Sequence, residues 1–437
     1  MRLAFALALA AATGGCGALD FFEGEEPRLP GERVAVRRAA PQAVAATAPS
    51  RAIALPAPAA NADWAQPGGN AGRNAGHVAA SPSPAIVWRG SVGGGDGGAA
   101  KIVSPPVIAG GRVYALDAGA TVSALDASSG ARVWSTDLTP ENEGTADGFG
   151  GGVAVEGGRV FVSNGFGNLH ALDAGTGAVA WTAPLGAPSR AAPVVAGGRV
   201  FAVTRDNRVV AVDAASGEEA WREQGLEQTA GILGGAAPAA TDRIVVAPFS
   251  SGELAAFEAP TGRLGWVEDL TGSRGGTGVG IIADVAGDPV IADGVAYAAS
   301  QSGRLAAVDL RRGERVWTRD LGGLNAPAVA GDAVFFVTAR GDLYALDRET
   351  GETVWVRPLG AFRDPDDRED PILWSGPLVA GGNLWLTSNW GELVGVSAAR
   401  GEVAARVALP DGSRVPPVAA NGTIYVLTTD AEVVALR

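Results

Sequence analysis

The chain has 437 residues, of which 34 are basic, 47 are acidic and 64 are glycine, and its net charge is −13. A chain this acidic is poorly suited to neutralising phosphates, so nucleic acid is not expected as a partner. It contains one cysteine, one lysine and two histidines. Those counts exclude a disulfide scaffold and a cysteine-rich zinc site, and we expect neither a metal nor a cofactor.

The first fifteen residues have the features of a secretory signal peptide. Met1-Arg2 is followed by an apolar run from Leu3 to Ala12, which is too short for a permanent membrane span. The run ends in Thr13-Gly14-Gly15-Cys16, and small residues before a cysteine resemble a bacterial lipobox. That resemblance implies a diacylated Cys16 at the mature N-terminus of an outer-membrane lipoprotein. Cleavage nearby without lipidation is the alternative.

Residues 16–84 are rich in Ala, Pro and Gly and have neither a strand period nor a helix period. Such a segment buries too little apolar surface to offset the entropy of ordering, so we expect a flexible tether. Trp64 is the exception and is interpreted as a buried anchor near the start of the folded domain, residues 85–437.

A strand-like pattern with a small residue near its end recurs eight times in that domain, at an average spacing of about 44 residues. The small residues are Ala124, Ala171, Ala211, Ala256, Ala307, Ala345, Gly395 and Ala435. Each copy follows two apolar strands joined by a Gly-rich turn, as in residues 193–203. The period and its four strand-like segments predict an all-β protein, an eight-bladed β-propeller of four-stranded antiparallel blades.

An Asp-x-x-Ser/Thr-Gly-x-x-x-Trp motif follows most of these small residues, and Asp126, Gly130 and Trp134 illustrate it. The Asp can accept backbone N–H groups, and the Gly can take the left-handed conformation that reverses the chain. The Trp is then expected on the outer strand, where it covers the seam to the next blade while its indole N–H binds a carbonyl. The predicted docking residues are Trp88, Trp134, Trp181, Trp221, Trp266, Trp317 and Trp355.

The two ends of the chain complement each other. The eighth repeat reaches Arg437 without an outer strand. Trp88, in contrast, lies in a predicted outer strand that has no inner strands before it. We therefore predict that the N-terminal and C-terminal strands pair and close the ring, which removes open edges.

The Ala-x-Asp-x-x-Thr-Gly-x-x-x-Trp repeat resembles that of the pyrroloquinoline-quinone propellers. One branch, the quinoprotein dehydrogenases, holds a quinone and calcium in the central channel. This chain lacks the adjacent cysteines typical of that branch and has no compact acid and amide cluster outside its turns. The other branch, the BamB family of outer-membrane protein assembly factors, is more similar, from the lipobox to the paired termini.

Resemblance to the BamB family implies a non-catalytic lipoprotein at the periplasmic face of the outer membrane. It would bind BamA and other members of the barrel-assembly complex, and unfolded outer-membrane protein clients. The family binds BamA through two neighbouring loops, with Leu-x-Leu-Arg-Gly-like and Asp-Val-Asp-like segments. Ile232, Leu233 and Gly234 fall at the first position, and Asp284 and Ala286 at the second. Gly234 replaces the family's Arg, and Ala286 its second acid.

Several alternatives stay open at this stage. Ile232 and Leu233 could instead begin an inner strand. His170 occupies a mainly apolar column and is interpreted as a packing residue and not a ligand. The acidic run 363–370 is expected to be a solvated loop, with calcium binding as the alternative. For the whole protein, the alternatives are a quinone-dependent dehydrogenase and a propeller that binds sugar or peptidoglycan.

Overall fold

The computed structural model of the protein describes residues 44–98, 100–144, 148–226, 235–272 and 284–437. The predicted signal peptide, Cys16 and the tether up to residue 43 lie outside these ranges. Within the ranges, the regular secondary structure consists of β-strands. Consistent with this, none of the described segments forms a helix of the length and hydropathy needed to cross a bilayer.

Thirty-four strands make up the described secondary structure. In chain order they are β1 (Ile86–Ser91), β2 (Val107–Ala109), β3 (Arg112–Leu116), β4 (Thr121–Asp126), β5 (Arg132–Asp137), β6 (Gly151–Glu156), β7 (Arg159–Asn164), β8 (Asn168–Asp173), β9 (Val179–Pro184), β10 (Val194–Ala196), β11 (Arg199–Val203), β12 (Arg208–Asp213), β13 (Glu219–Gln224), β14 (Ala239–Ala240), β15 (Ile244–Pro248), β16 (Glu253–Glu258), β17 (Leu264–Asp269), β18 (Val290–Ala292), β19 (Val295–Ala299), β20 (Leu305–Asp309), β21 (Arg315–Arg319), β22 (Ala328–Ala330), β23 (Ala333–Val337), β24 (Asp342–Asp347), β25 (Thr353–Pro358), β26 (Phe362–Asp364), β27 (Glu369–Pro371), β28 (Trp374–Ala380), β29 (Asn383–Ser388), β30 (Glu392–Ser397), β31 (Val403–Ala408), β32 (Val418–Ala420), β33 (Thr423–Leu427) and β34 (Glu432–Leu436).

These strands form eight four-stranded antiparallel blades, as the repeat predicts. Blades 1 to 6 are β2–β5, β6–β9, β10–β13, β14–β17, β18–β21 and β22–β25, and blade 7 is β28–β31. Blade 8 consists of β32, β33 and β34 with β1 added at its outer edge, where Trp88 lies opposite Ala435. The predicted pairing of the two ends of the chain is therefore confirmed. Strands β26 and β27 form a separate hairpin between blades 6 and 7.

In six of the eight blades the small residue of the column lies between two aromatic side chains, and in blade 4 the small residue Ala256 lies between Val246 and Trp266. In blade 1, Ala124 is paired with Tyr114 on one side and Trp134 on the other, and the ring centroids of these two residues are 5.9 Å apart. A side chain larger than Ala between the two would push the rings apart. The ladder slips by one residue immediately after Ala124, which is a β-bulge that strengthens the local twist.

The docking tryptophans join each blade to the next. The indole N–H of Trp134 donates to the carbonyl of Ala174 in blade 2 at 3.1 Å, and its ring lies against Gly177, where a Cβ would be 2.6 Å from it. Gly177 has a φ of +76°, so it both reverses the chain and makes room for the indole. The seven predicted residues, Trp88, Trp134, Trp181, Trp221, Trp266, Trp317 and Trp355, all bind a carbonyl of the following blade in this way.

Blade 7 carries its large aromatic residue on a different strand from the other blades. Its outer strand carries Ala405 where the other blades carry Trp, and its second strand carries the fully buried Trp385. Gly395 separates the two, and a Cβ at Gly395 would lie 2.8 Å from the indole. The column residue of blade 7 is therefore glycine because the Trp385 ring occupies the space that a side chain would need.

Residues 59–80, which we call the collar, lie along the inner strands. Backbone groups of Trp64, Ala65, Ala71, Gly72 and Val78 accept N–H groups from blades 1, 2, 4, 5 and 7 at 2.7–3.0 Å. The Gln66 side chain binds blade 3, and the Asn61 carbonyl binds blade 8. The collar thus satisfies inner-strand edges that would otherwise face the centre of the ring unpaired.

These contacts correct one expectation. The tether was predicted to extend to residue 84, but residues 44–84 are bonded to the propeller. Thr47 and Ser50 donate backbone N–H groups to the outer strand of blade 6 at Val356 and Val354, and Trp64 is buried as predicted. Composition failed here because the bonds use backbone atoms, which any sequence supplies. A tether before residue 44 stays a prediction.

Candidate functional site

Two loops on one face of the ring carry the predicted partner-binding residues. The first, residues 225–238, connects β13 of blade 3 to β14 of blade 4, and the second, residues 270–289, connects β17 of blade 4 to β18 of blade 5. Each runs from an outer strand to the next inner strand, so the described ends of both lie on the same face and flank blade 4. Their described parts are residues 225–226, 235–238, 270–272 and 284–289.

Three of the predicted contact residues, Ile232, Leu233 and Gly234, lie outside the described residues. Strand β14, the inner strand of blade 4, begins only at Ala239. Their contact with a partner stays a prediction.

The structure describes Asp284 and Ala286 at the base of the second loop. The side chain of Asp284 is buried, with the residue only 4% exposed, and its carbonyl accepts the N–H of Gln301 at 2.9 Å. Val285 forms an isolated bridge with Ser300, so this stretch adds to the turn of blade 5. As the loop lies here, Asp284 presents little charge to solvent. Its predicted role as a charged contact stays a prediction.

A different acid, Asp288, joins the two loops. Its Oδ1 accepts the N–H of Ala237 in the first loop at 2.7 Å, and its Oδ2 accepts Nη1 of Arg73 in the collar at 2.8 Å. Arg73 in turn donates Nε to the carbonyl of Pro238 at 2.7 Å. One carboxylate and one guanidinium therefore fix the ends of both loops to each other and to the collar.

The Arg73–Asp288 pair is mostly removed from water. The side chain of Arg73 is 2% exposed and that of Asp288 is 31% exposed. Burial lowers the pKa of Arg73, and the charge of Asp288 acts in the opposite direction. A buried guanidinium is tolerated only where hydrogen bonds and an opposite charge replace its hydration. Here Nε and Nη1 have such partners and tie the two loop ends together, whereas the buried Nη2 has no hydrogen-bond partner among the described residues.

His170 uses both ring nitrogens inside blade 2. The side-chain oxygen of Asn164 accepts two backbone N–H groups, so its amide nitrogen is the donor to Nε2 of His170 at 3.2 Å. Nδ1 then carries the proton and donates to Oγ1 of Thr182 at 2.9 Å. Burial lowers the pKa of His170 to about 4, so the ring is neutral at neutral pH. This arrangement suits a packing residue, as the sequence predicts.

The acidic run 363–370 lies within the hairpin of β26 and β27 and is exposed. Oδ1 of Asp364 accepts the backbone N–H groups of Asp366 and Asp367, and Arg363 lies 4.7 Å above the ring of Trp390. No group of three or more His, Cys, Asp or Glu side chains within the described ranges is arranged to hold a metal ion.

Docked tryptophans between blades, paired termini and a collar along the inner strands define the class of protein. It is an eight-bladed β-propeller whose last blade is completed by the first strand of the ring. The model for the family described as outer membrane protein assembly factor BamB matches residues 71–146 and 118–357. That is more than half of the chain, and the chain therefore belongs to the BamB family.

Relatives with the same description are moderately similar. BamB of Salmonella typhimurium is 34% identical over 251 residues, which is 56% of this chain and 62% of that protein. BamB of Escherichia coli is 29% identical over 359 residues, 81% of this chain and 89% of that protein. The chain spans about half to just under two thirds of the length of the first curated relatives that it matches.

Solved structures agree on the fold. BamB from Moraxella catarrhalis superposes with a TM-score of 0.68 at 22% identity, covering 81% of this chain and 99% of that one. The quinohemoprotein alcohol dehydrogenase of Comamonas testosteroni reaches 0.64 at 15% identity, covering 86% and 80%. At these identities the likeness concerns the fold alone.

Sequence reasoning missed Arg73 and Asp288. Asp288 lies only four residues after Asp284, in the segment that the sequence singled out, but the family resemblance drew attention to the earlier acid. Arg73 lies in the glycine- and asparagine-rich approach to the ring, where no strand period marks it. The buried Trp64 was the signal that this approach is part of the folded domain.

Proposed function

We propose that this protein is a non-catalytic lipoprotein scaffold of the outer-membrane β-barrel assembly complex. It binds BamA through the loops 225–238 and 270–289 and assists the folding and insertion of outer-membrane proteins, whose unfolded chains are its clients. It is held at the periplasmic face of the outer membrane by a lipid on Cys16.

One observation carries this proposal: the BamB family model matches a continuous region, residues 71–357, that includes both loops and the second half of the collar. The geometry supports it. A scaffold binds its partner more tightly when the ends of its binding loops are already fixed, because ordering a flexible loop on binding costs free energy. The Arg73–Asp288 pair supplies that fixed position before any partner arrives.

Co-purification of BamA with this protein from detergent-solubilised membranes tests the proposal. We expect BamA to be recovered with the wild-type chain and with Leu264→Glu, and to be lost with Leu233→Glu. Leu264 is the matched control because it is an exposed leucine on the outer strand of blade 4, away from the loops. Recovery of BamA by Leu233→Glu would remove the loop assignment, and absence of BamA from the wild-type sample would contradict the function itself.

The anchor is tested separately by fractionating Cys16→Ser in cells that lack BamA. The lipid proposal expects this variant in the soluble periplasmic fraction and the wild-type chain in the outer membrane. Membrane recovery of Cys16→Ser would contradict it. Dye reduction by the purified chain supplied with pyrroloquinoline quinone and calcium would support the dehydrogenase alternative instead.

A further inference from the structure

An arginine without an acidic partner lies one blade away from the first loop. Arg190 belongs to the connection between β9 of blade 2 and β10 of blade 3, on the same face as the loops 225–238 and 270–289. Its guanidinium carbon is 4.3 Å from the ring centroid of Phe149, which lies in the preceding connection of the same kind. The backbone of Gly235 packs against it, since a Cβ there would lie 3.6 Å from Cβ of Arg190. Arg190 therefore borders the described end of the first loop.

Within the described part of the chain, no carboxylate forms an ion pair with Arg190, and its buried Nε has no hydrogen-bond partner. A second cation, Arg205, borders the same connection, because its backbone N–H donates to the carbonyl of Pro188 at 2.8 Å. Burial lowers the pKa of the Arg190 guanidinium, and the charge of Arg205 lowers it further.

Among the described residues, Arg199 and Arg304 also have a buried Nε without a hydrogen-bond partner, but neither stacks on an aromatic ring as Arg190 does. Several other arginines of the chain lie beside acids at 2.7–3.0 Å, for example Arg208 beside Asp206, Arg222 beside Glu219 and Arg414 beside Asp96. The whole chain carries 13 more acids than bases, so acidic partners are plentiful. A half-buried cation next to another cation is costly unless an anion completes the site.

The contact with Phe149 holds the guanidinium in place without using up its donors. Stacking on an aromatic face is favourable for a guanidinium and leaves the N–H groups at the edge of its plane available as donors. A planar fork held in this way matches a carboxylate, which accepts two parallel hydrogen bonds. Arg190 is thus preorganised for an acidic side chain, with Arg205 adding long-range attraction.

We infer that Arg190 and Arg205 form a carboxylate-binding site for an acidic side chain of the protein that binds the loop 225–238. This rests on the proposed function, because the partner is the one that contacts that loop. A protein is favoured over an anionic membrane for two reasons. The site adjoins a loop with predicted apolar contacts, and the net charge of −13 repels an extended anionic surface.

The affinity of the purified, non-lipidated Cys16→Ser chain for the periplasmic domains of BamA tests the inference. We expect Arg190→Ala to weaken binding about tenfold and Arg190→Glu to weaken it further, because hydrogen bonds to charged groups are the strong ones. Arg190→Lys should be intermediate, since it keeps the charge and loses the fork. Arg400→Ala is the control and should bind normally, because Arg400 is already paired with Glu402 and lies in blade 7, away from the loops.

Two further measurements show whether a loss of BamA binding comes from misfolding of a variant: the salt dependence of binding and a second variant at an exposed position. Charge screening strengthens between about 50 and 300 mM salt. Over this range the affinity of the wild-type chain for BamA should therefore fall more steeply than the affinity of Arg190→Ala. Arg205→Glu, at an exposed position, should also weaken binding while leaving the melting temperature unchanged.

Three results would overturn the inference. In the first, Arg190→Glu and Arg205→Glu bind BamA normally while Leu233→Glu does not, which leaves the proposed function intact. In the second, the arginine variants lose binding to phosphatidylglycerol vesicles but keep binding to BamA, so the anion is a lipid headgroup. In the third, the wild-type chain does not bind BamA, and the proposed function fails with it.

Discussion

Replacing Arg73 with leucine is the sharpest perturbation of the loop surface. Arg73→Leu removes the Nε bond to Pro238 and the Nη1 bond to Asp288, at 2.7 and 2.8 Å. Asp288 keeps its bond from Ala237, but its second oxygen loses its donor. Breaking a buried ion pair costs about 3–5 kcal/mol, and water that reaches the partly exposed Asp288 reduces this. We therefore expect a loss of about 2–4 kcal/mol in the free energy of unfolding.

Urea denaturation of the purified chain measures this loss, and a double-mutant cycle isolates the pair. Asp288→Asn leaves the buried Arg73 without its opposite charge, so it should cost at least as much as Arg73→Leu. The double variant should cost less than the sum of the two, by about 1–3 kcal/mol. Arg51→Leu is the control: Arg51 pairs with Asp332 and Asp347 in a more exposed setting, so its loss should cost about 1 kcal/mol or less.

A loss below about 1 kcal/mol for Arg73→Leu, or strict additivity in the cycle, would refute this reasoning. Either result would mean that the ends of the two loops are held by the inner strands alone. Hydrogen exchange adds a local readout, because the amide of Ala237 should lose protection in Arg73→Leu before the blades do.

Two further predictions concern the blades. Burial holds the pKa of His170 at about 4 in the folded chain, below its ordinary value of 6.5. Between these two pH values the unfolded chain binds a proton more readily than the folded chain, so stability should fall as the pH drops below 6.5. From pH 7.5 to pH 5 we expect His170 to lower the free energy of unfolding by about 2 kcal/mol. In urea denaturation, the free energy of unfolding of His170→Gln should depend less steeply on pH than that of the wild-type chain. Equal dependence on pH would contradict the low pKa of His170 in the folded chain. Gly395→Ala should destabilise the protein by about 1–3 kcal/mol through overpacking against Trp385. Gly97→Ala, where an added methyl group meets nothing within 4 Å, should be neutral, and equal melting temperatures for the two would refute the packing argument.

The eight blades could be predicted from the sequence because their determinants are local and repeated. A residue between two aromatic rings must be small, and a chain reversal against an indole must be glycine, so Ala124 and Gly177 mark their positions directly. In blade 7 the same packing requirement is met by different residues. Because Trp385 supplies the bulk from the second strand, Gly395 and Ala405 read as a degenerate repeat until the strands are seen side by side.

The collar and the link between the loops could not be predicted in the same way. Trp64, Ala65 and Gly72 bind the inner strands through backbone carbonyls, and a backbone bond leaves no requirement on the side chain that a sequence pattern would show. Similarly, nothing in the spacing of Arg73 and Asp288, which are 215 residues apart, indicates that they meet. The family resemblance directed attention to Asp284, which the structure buries.

Hydrogen–deuterium exchange of the full chain, with and without the periplasmic domains of BamA, tests the central claim most directly. That claim is that a rigid propeller works by presenting the loops 225–238 and 270–289 to BamA. We predict that BamA slows exchange in these two segments and in residues 185–193, and leaves the outer strands of blades 6 to 8 unchanged. Protection confined to other blades, or no protection at saturating BamA, would contradict it.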